Sequence, residues 1–189
     1  MSALDVHAVS AFFGVTFMFD YVRRNETDPQ PLRRTRLVVT AGAPIDPATV
    51  RHFDDVWGRR IESLYGTSET GGIAFGASAD SSGRPSVGRP LPGVTVTLVP
   101  SDAAGPDEGR VFVRGPNVTA GYLSLSGEHS GSLSAFVEGG YLTSDLARWN
   151  DRGDLVLGAR ISSFVNVAGR KVHPEEVQRV LLTMPGVAN

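Results

Sequence analysis

An α/β fold with an appended antiparallel β region is predicted, on three observations. Two short apolar runs, residues 36–40 and 61–64, flank a stretch whose apolar residues recur at helical spacing. From about residue 85 the apolar period falls to two, with Gly, Pro and Asp turns between short runs. Past residue 159 a short strand is followed by a helix opened by Pro174 with acids in its first turn. These shifts divide the chain into 1–84, 85–158 and 159–189.

Composition narrows the function classes. The 189 residues carry a net charge of −2 with a pI near 6.1, unlike the basic balance of a general nucleic-acid binder. With no cysteine, a disulfide framework, a thiolate metal site and a cysteine nucleophile are excluded. There is no run of ~18 apolar residues for a membrane span and no signal segment after Met1, so the chain reads as soluble and cytoplasmic.

The elements follow in order. Residues 11–15 read as a strand and 16–22 as a helix capped at Thr16, both apolar enough to want cover on more than one face. Residues 36–40 form a continuous apolar run, as buried parallel strands do. The turn Ala41-Gly-Ala-Pro44 follows, and Asp46 as N-cap with Pro47 at the first position opens a helix. Its apolar face is Val50, Phe53, Val56 and Trp57, and Gly58 ends it. A strand–helix–strand unit of this length makes its strands parallel, joined by a right-handed crossover.

The stretch Tyr65-Gly-Thr-Ser-Glu-Thr-Gly-Gly72 carries the chemistry. It reads as a loop offering a flat ring, three hydroxyls and one carboxylate, with glycines that admit close backbone approach. Those groups suit a nucleotide, its phosphates and a hard cation. A strand-to-helix turn with Thr and Ser as N-caps is the competing reading. The position of Ala41–Pro44 favours a site, because both loops then lie at the carboxyl ends of neighbouring parallel strands, where ligands bind. Beyond, residues 77–92 read as a surface connection. Runs 94–99, 110–114 and 155–157 read as short strands, and 124–134 as a serine-rich mobile loop. Residues 164–167 form a strand before a turn at 168–169, and Val177, Leu181 and Met184 line one side of the last helix.

Taken together, the motifs resemble the adenylate-forming superfamily of acyl-CoA synthetases, nonribosomal peptide adenylation domains and beetle luciferases. Tyr65-Gly-Thr-Ser-Glu69 is similar to its Tyr-Gly-x-Thr/Ser-Glu motif, and Thr40-Ala-Gly-Ala-Pro44 to its Gly-Gly-Ala-Pro turn. Val87-Gly-Arg-Pro-Leu-Pro-Gly93 and Val113-Arg-Gly-Pro-Asn-Val-Thr-Ala-Gly-Tyr122 resemble motifs of its β subdomain. Tyr141 to Asp145, Arg160 and Gly169-Arg-Lys-Val-His-Pro-Glu-Glu-Val177 resemble the approach to its hinge and its mobile C-terminal domain. The resemblance implies the end of a parallel-sheet α/β nucleotide-binding subdomain over 1–84, a small antiparallel β subdomain of the same domain over 85–158, and a hinge with the start of an α+β domain over 159–189.

The resemblance also implies roles. Tyr65 would stack on adenine, with Ala41, Gly42, Ala43 and Gly66 along the nucleotide. Ser68 would contact phosphate, and Glu69 would hold Mg²⁺. Asp145 would accept from both ribose hydroxyls with Arg160 beside it, a task a carboxylate can perform and a lysine or serine cannot. Gly66 and Ile73 would line the acyl pocket, and Ser162 would be the hinge. Ser144 stands where the family usually has Gly, Ser162 where it has Asp or Lys, and Asn166 where many members have Lys. The family's phosphate loop and distal lysine are not matched, so the chain is expected to be an internal piece, inactive alone. The implied reaction is ATP-dependent activation of a small carboxylate, then transfer to a thiol. Coenzyme A is the expected acceptor, with a carrier protein or a non-catalytic nucleotide-binding chain as alternatives. His173 near Glu175 and Glu176 reads as a cap or surface residue, and Arg33, Arg34 and Arg36 as a solvated loop.

Overall fold

The computed structural model describes residues 8–25, 32, 34–79, 85–122 and 135–161, with 165–167 and 170–172 in backbone only and the single positions 177, 180, 181, 184 and 187. The expected mobile loop at 124–134, the hinge Ser162, the turn at 168–169 and the start of the last helix lie outside them. Residues 177, 180 and 181 are helical.

Strand β1 (Ala11–Val15) leads into helix α1 (Thr16–Arg24), β2 (Leu37–Ala41), helix α2 (Pro47–Asp55), β3 (Glu62–Thr67), β4 (Gly71–Ala77) and β5 (Arg89–Pro90). The five strands form one sheet in chain order, parallel from β1 to β3 and antiparallel from β3 to β5. As predicted, β2 is buried at Val38, Val39 and Thr40, and the Asp46 side chain accepts from the Ala48 amide at 2.8 Å to cap α2. Phe19, Val38, Phe53, Trp57 and Ile61 share one core between the helices and this sheet.

Four readings are corrected. Thr16 is the first helical residue; the N-cap is Val15, which makes no side-chain cap bond. Val56 is the C-cap of α2 and keeps helical geometry, but it is exposed while Phe53 and Trp57 are buried, so it is not part of the apolar face. Residues 65–67 continue β3, and only Ser68–Thr70 turn, so the supposed loop is the tip of a β-hairpin. Residues 77–92 are not a surface connection throughout: Ser78, Ser86 and Val87 are buried, and Arg89–Pro90 adds a strand.

The second sheet runs β10 (Leu155–Arg160), β9 (Gly140–Trp149), β7 (Gly109–Arg114) and β6 (Thr95–Val99), all antiparallel, with β8 (Phe136–Val137) paired to β9. A separate hairpin joins β11 (Val165–Val167) to β12 (Arg170–Val172). Strand β9 escaped the sequence reading. It is the longest of the described strands, but its buried positions include Thr143 and Asp145, which break the apolar alternation.

The sheets are joined at residues 86–88. The Val87 amide donates to Leu155 O at 2.9 Å, and the Leu155 amide donates to Gly88 O at 2.7 Å. Tyr65, Ile73 and Ala74 from the first sheet then pack with Val111, Val113, Ala147 and Leu155 of the second. The joint needs glycine, because a Cβ on Gly88 (φ +73) would lie 2.2 Å from Phe75 O. Gly88→Ala should therefore destabilise the chain by about 2 kcal/mol or more, through strain and overlap together. Gly139→Ala, at the same φ with open space around it, should cost about 1 kcal/mol. Urea unfolding of the two variants checks the order; equal midpoints would contradict the account of the joint.

Candidate functional site

The carboxyl ends of β2 and β3 and the tip of the β3–β4 hairpin open onto a cleft of about 690 Å³. Its lining includes Ala41, Gly42, Gly66, Ser68, Glu69 and Arg160. Gly66 cannot be replaced without moving the backbone, since a Cβ there would lie 2.1 Å from Gly71 O across the hairpin. Gly42 takes φ +91, which turns the chain away at the end of β2.

Behind this wall sits Asp145 on β9. Its Oδ2 accepts from the Tyr65 hydroxyl at 2.7 Å, and its Oδ1 from Arg160 Nε at 2.6 Å. Its backbone amide donates to Thr143 Oγ1 at 3.0 Å. Asp145 and Arg160 are opposed across the β9–β10 ladder, just past an irregularity that re-aims the strand. The Asp145 side chain is 10% exposed and that of Arg160 60%, so the guanidinium reaches from solvent to a nearly buried acid. Each carboxylate oxygen has two acceptor positions, so a further donor can still be taken. Burial, then the adjacent Asp145 carboxylate, push the Tyr65 hydroxyl far above the usual tyrosine range. The bond to Asp145 raises Arg160.

Glu69 lies half-buried at the hairpin tip, where its Oε1 accepts from the Tyr122 hydroxyl at 2.6 Å. Partial burial alone would raise its carboxyl; hydrogen bonds from Tyr122 and Thr67 outweigh that and hold it below the usual range. Bonding to Glu69, then to Tyr141, raises the Tyr122 hydroxyl. Thr67 and Thr70 brace the turn, their hydroxyls 3.1 Å apart, and Asn117 Nδ2 donates to the carbonyls of Thr70 and Gly72 at 2.7 and 2.8 Å. Among the described residues no three His, Cys, Asp or Glu cluster as a metal cage. One ionised carboxylate on an open cleft fits Mg²⁺ as that ion is usually bound beside phosphates, through one or two acids and water.

The expected residues are thus only partly together. Ala41, Gly42, Gly66, Ser68, Glu69 and Arg160 line the cleft, with Asp145 one bond behind. Tyr65 is 7% exposed and packed in the core, its hydroxyl spent on Asp145. Ile73 is wholly buried in that core and is not part of the cleft wall. Ala43 is exposed beside the cleft without lining it. Unforeseen are Asn117, Thr143 and Tyr122. The motif containing Asn117 and Tyr122 was visible, but their partners depend on how one sheet's loop falls on the other's hairpin.

The family model for AMP-binding enzyme matches residues 1–123. The chain is 32% identical over 172 residues to Nonribosomal peptide synthetase 8 of Aspergillus fumigatus, covering 83% of this chain and 2% of that protein. It is 24% identical over 193 residues to 3-hydroxybenzoate–CoA ligase of Aromatoleum sp. strain CIB, covering 100% of this chain and 36% of the relative. Among solved structures, ATP-bound MatB from Rhodopseudomonas palustris superposes with a TM-score of 0.76 at 27% identity, covering 98% of this chain and 38% of that one. The chain therefore spans well under half the length of these relatives. No helix among the described residues is long and apolar enough to cross a membrane.

The raised Tyr65 hydroxyl gives a pH prediction. A tyrosine whose folded pKa exceeds its unfolded one lends stability that is full below the unfolded value and lost as pH rises beyond it. Stability should fall above about pH 10, and ultraviolet titration should show phenolate forming late, in a component absent from Tyr65→Phe. Identical titrations of parent and variant would contradict the Tyr65–Asp145 bond.

Proposed function

Because the chain belongs to the AMP-binding enzyme family of adenylate-forming ligases, we propose that it supplies nucleotide-binding residues of an ATP-dependent carboxylate ligase. The observation that carries this is a cleft with one carboxylate, Glu69, on its wall and a second, Asp145, one bond behind its Arg160. Glu69, half-buried at its wall, suits a phosphate-bound cation, and Asp145, fixed behind Arg160, suits a vicinal diol.

In this reading adenine lies along Ala41, Gly42 and Ala43 with Gly66 beneath it. Asp145 takes the ribose hydroxyls on the acceptor positions that Tyr65 and Arg160 leave. Stacking of the Tyr65 ring on the base requires more of that ring than the structure exposes. Ser68 donates to phosphate, and Glu69 holds Mg²⁺, which when bound neutralises charge on the phosphate oxygens. Preorganised donors and charge at the phosphate are the protein's main lever on such a step. A substrate carboxylate oxygen attacks the α-phosphorus and pyrophosphate leaves, giving an acyl-adenylate; a thiol then attacks the acyl carbon and AMP leaves. Coenzyme A is the proposed thiol, and Ser162 the pivot between the half-reactions. A carrier protein is the second acceptor, favoured by the likeness to a nonribosomal peptide synthetase. Gly66 is the cleft residue proposed to border the acyl group; Ile73 would act only from behind the wall.

The ribose contact tests this reading. The chain should bind ATP more tightly than 2′-deoxy-ATP by about 1.5–3 kcal/mol, the worth of a hydrogen bond to a charged group. Asp145→Asn should lose most of that preference in calorimetric titration. Equal affinities for the two nucleotides in the parent chain would contradict it.

A further inference from the structure

Two loops of different sheets meet at Glu69. The segment after β7 crosses to the hairpin tip and holds it at three levels: Asn117 Nδ2 on the carbonyls of Thr70 and Gly72, the Thr119 amide on Glu69 O at 2.8 Å, and the Tyr122 hydroxyl on Glu69 Oε1 at 2.6 Å. The first two set where the backbone of Glu69 lies. Only the third reaches its carboxylate. Tyr122 is itself fixed, with its ring edge-on to Phe136 at 5.4 Å and Phe136 against Tyr141 at 5.0 Å. Tyr141 is the second residue of β9, which carries Asp145 four residues later. The aromatic trio therefore ties the position of one acid to the strand bearing the other.

We propose that Tyr122 is a positioning residue, whose hydroxyl holds the Glu69 carboxylate in the orientation that receives a divalent cation on bound nucleotide. The proposal rests on the nucleotide reading above and extends it to a residue without an assigned role. An unheld glutamate samples several rotamers and loses that freedom on coordination. One already bonded through an oxygen has lost most of it beforehand. Partners behind a metal ligand commonly matter 10–100-fold for metal affinity. A packing role for Tyr122 is the alternative, and it differs in consequence, because the phenylalanine variant keeps the ring against Phe136 and removes only the hydroxyl.

The experiment measures the affinity of the 189-residue chain for ATP with and without Mn²⁺, by calorimetric titration. In the parent, Mn²⁺ should strengthen ATP binding. In Tyr122→Phe that gain should shrink roughly tenfold, while metal-free ATP affinity stays as in the parent. Glu69→Gln should lose the gain, and Tyr122→Phe added to it should change nothing more. An undiminished gain in Tyr122→Phe overturns the proposal, as does an equal further loss in the Glu69→Gln background. If metal-free ATP binds and is distinguished from 2′-deoxy-ATP, either outcome overturns the role of Tyr122 alone. No ATP binding under any condition overturns the nucleotide reading and this proposal with it.

Discussion

The Asp145 carboxylate is gripped between the Tyr65 hydroxyl of the first sheet and the Arg160 guanidinium of its own sheet. Nearly buried, such an acid needs both donors, since an uncompensated charge in that position would be strongly destabilising. The grip requires β3 to run on past its expected end, so that Tyr65 faces β9. It also requires β10 to shift register between Leu157 and Arg160, so that the arginine meets the acid. The Gly88 joint at the other end of the shared core keeps the sheets at that distance.

The same constraint shapes the cleft. With Tyr65 turned inward, much of the cleft lining is backbone and small side chains, among them Ala41, Gly42, Gly66 and Ser68. Close packing of the hairpin arms at Gly66 makes that wall thin and rigid. The charged residues of its lining are Glu69 and Arg160, the first bonded to Tyr122 in the segment after β7 and the second to Asp145 on β9.

Much of this was legible in the residues, and the failures share a cause. The strand–helix–strand unit and the Asp46 cap were readable because local pattern and tertiary role agree there. Strand β9 is hard to read because Thr143 and Asp145 face inward, so polar residues stand where apolar ones would have marked it. Residues 65–72 read as a loop because glycines and hydroxyls dominate; the hairpin forms because Gly66 and Gly72 pair closely and Gly71 accepts φ +57. Tyr122 could be seen as part of a motif, but its partner is 53 positions away, at the tip of a hairpin of the other sheet.

On the proposed function, the two sheets together present one nucleotide site that spans Glu69 and Asp145. Titrating AMP into isotope-labelled chain and following its amides tests this most directly. Signals of Gly42, Gly66, Ser68 and Asp145 should move together along one binding curve, while those of α1 and α2 stay in place. Shifts confined to one sheet, or spread over the helices, would contradict it.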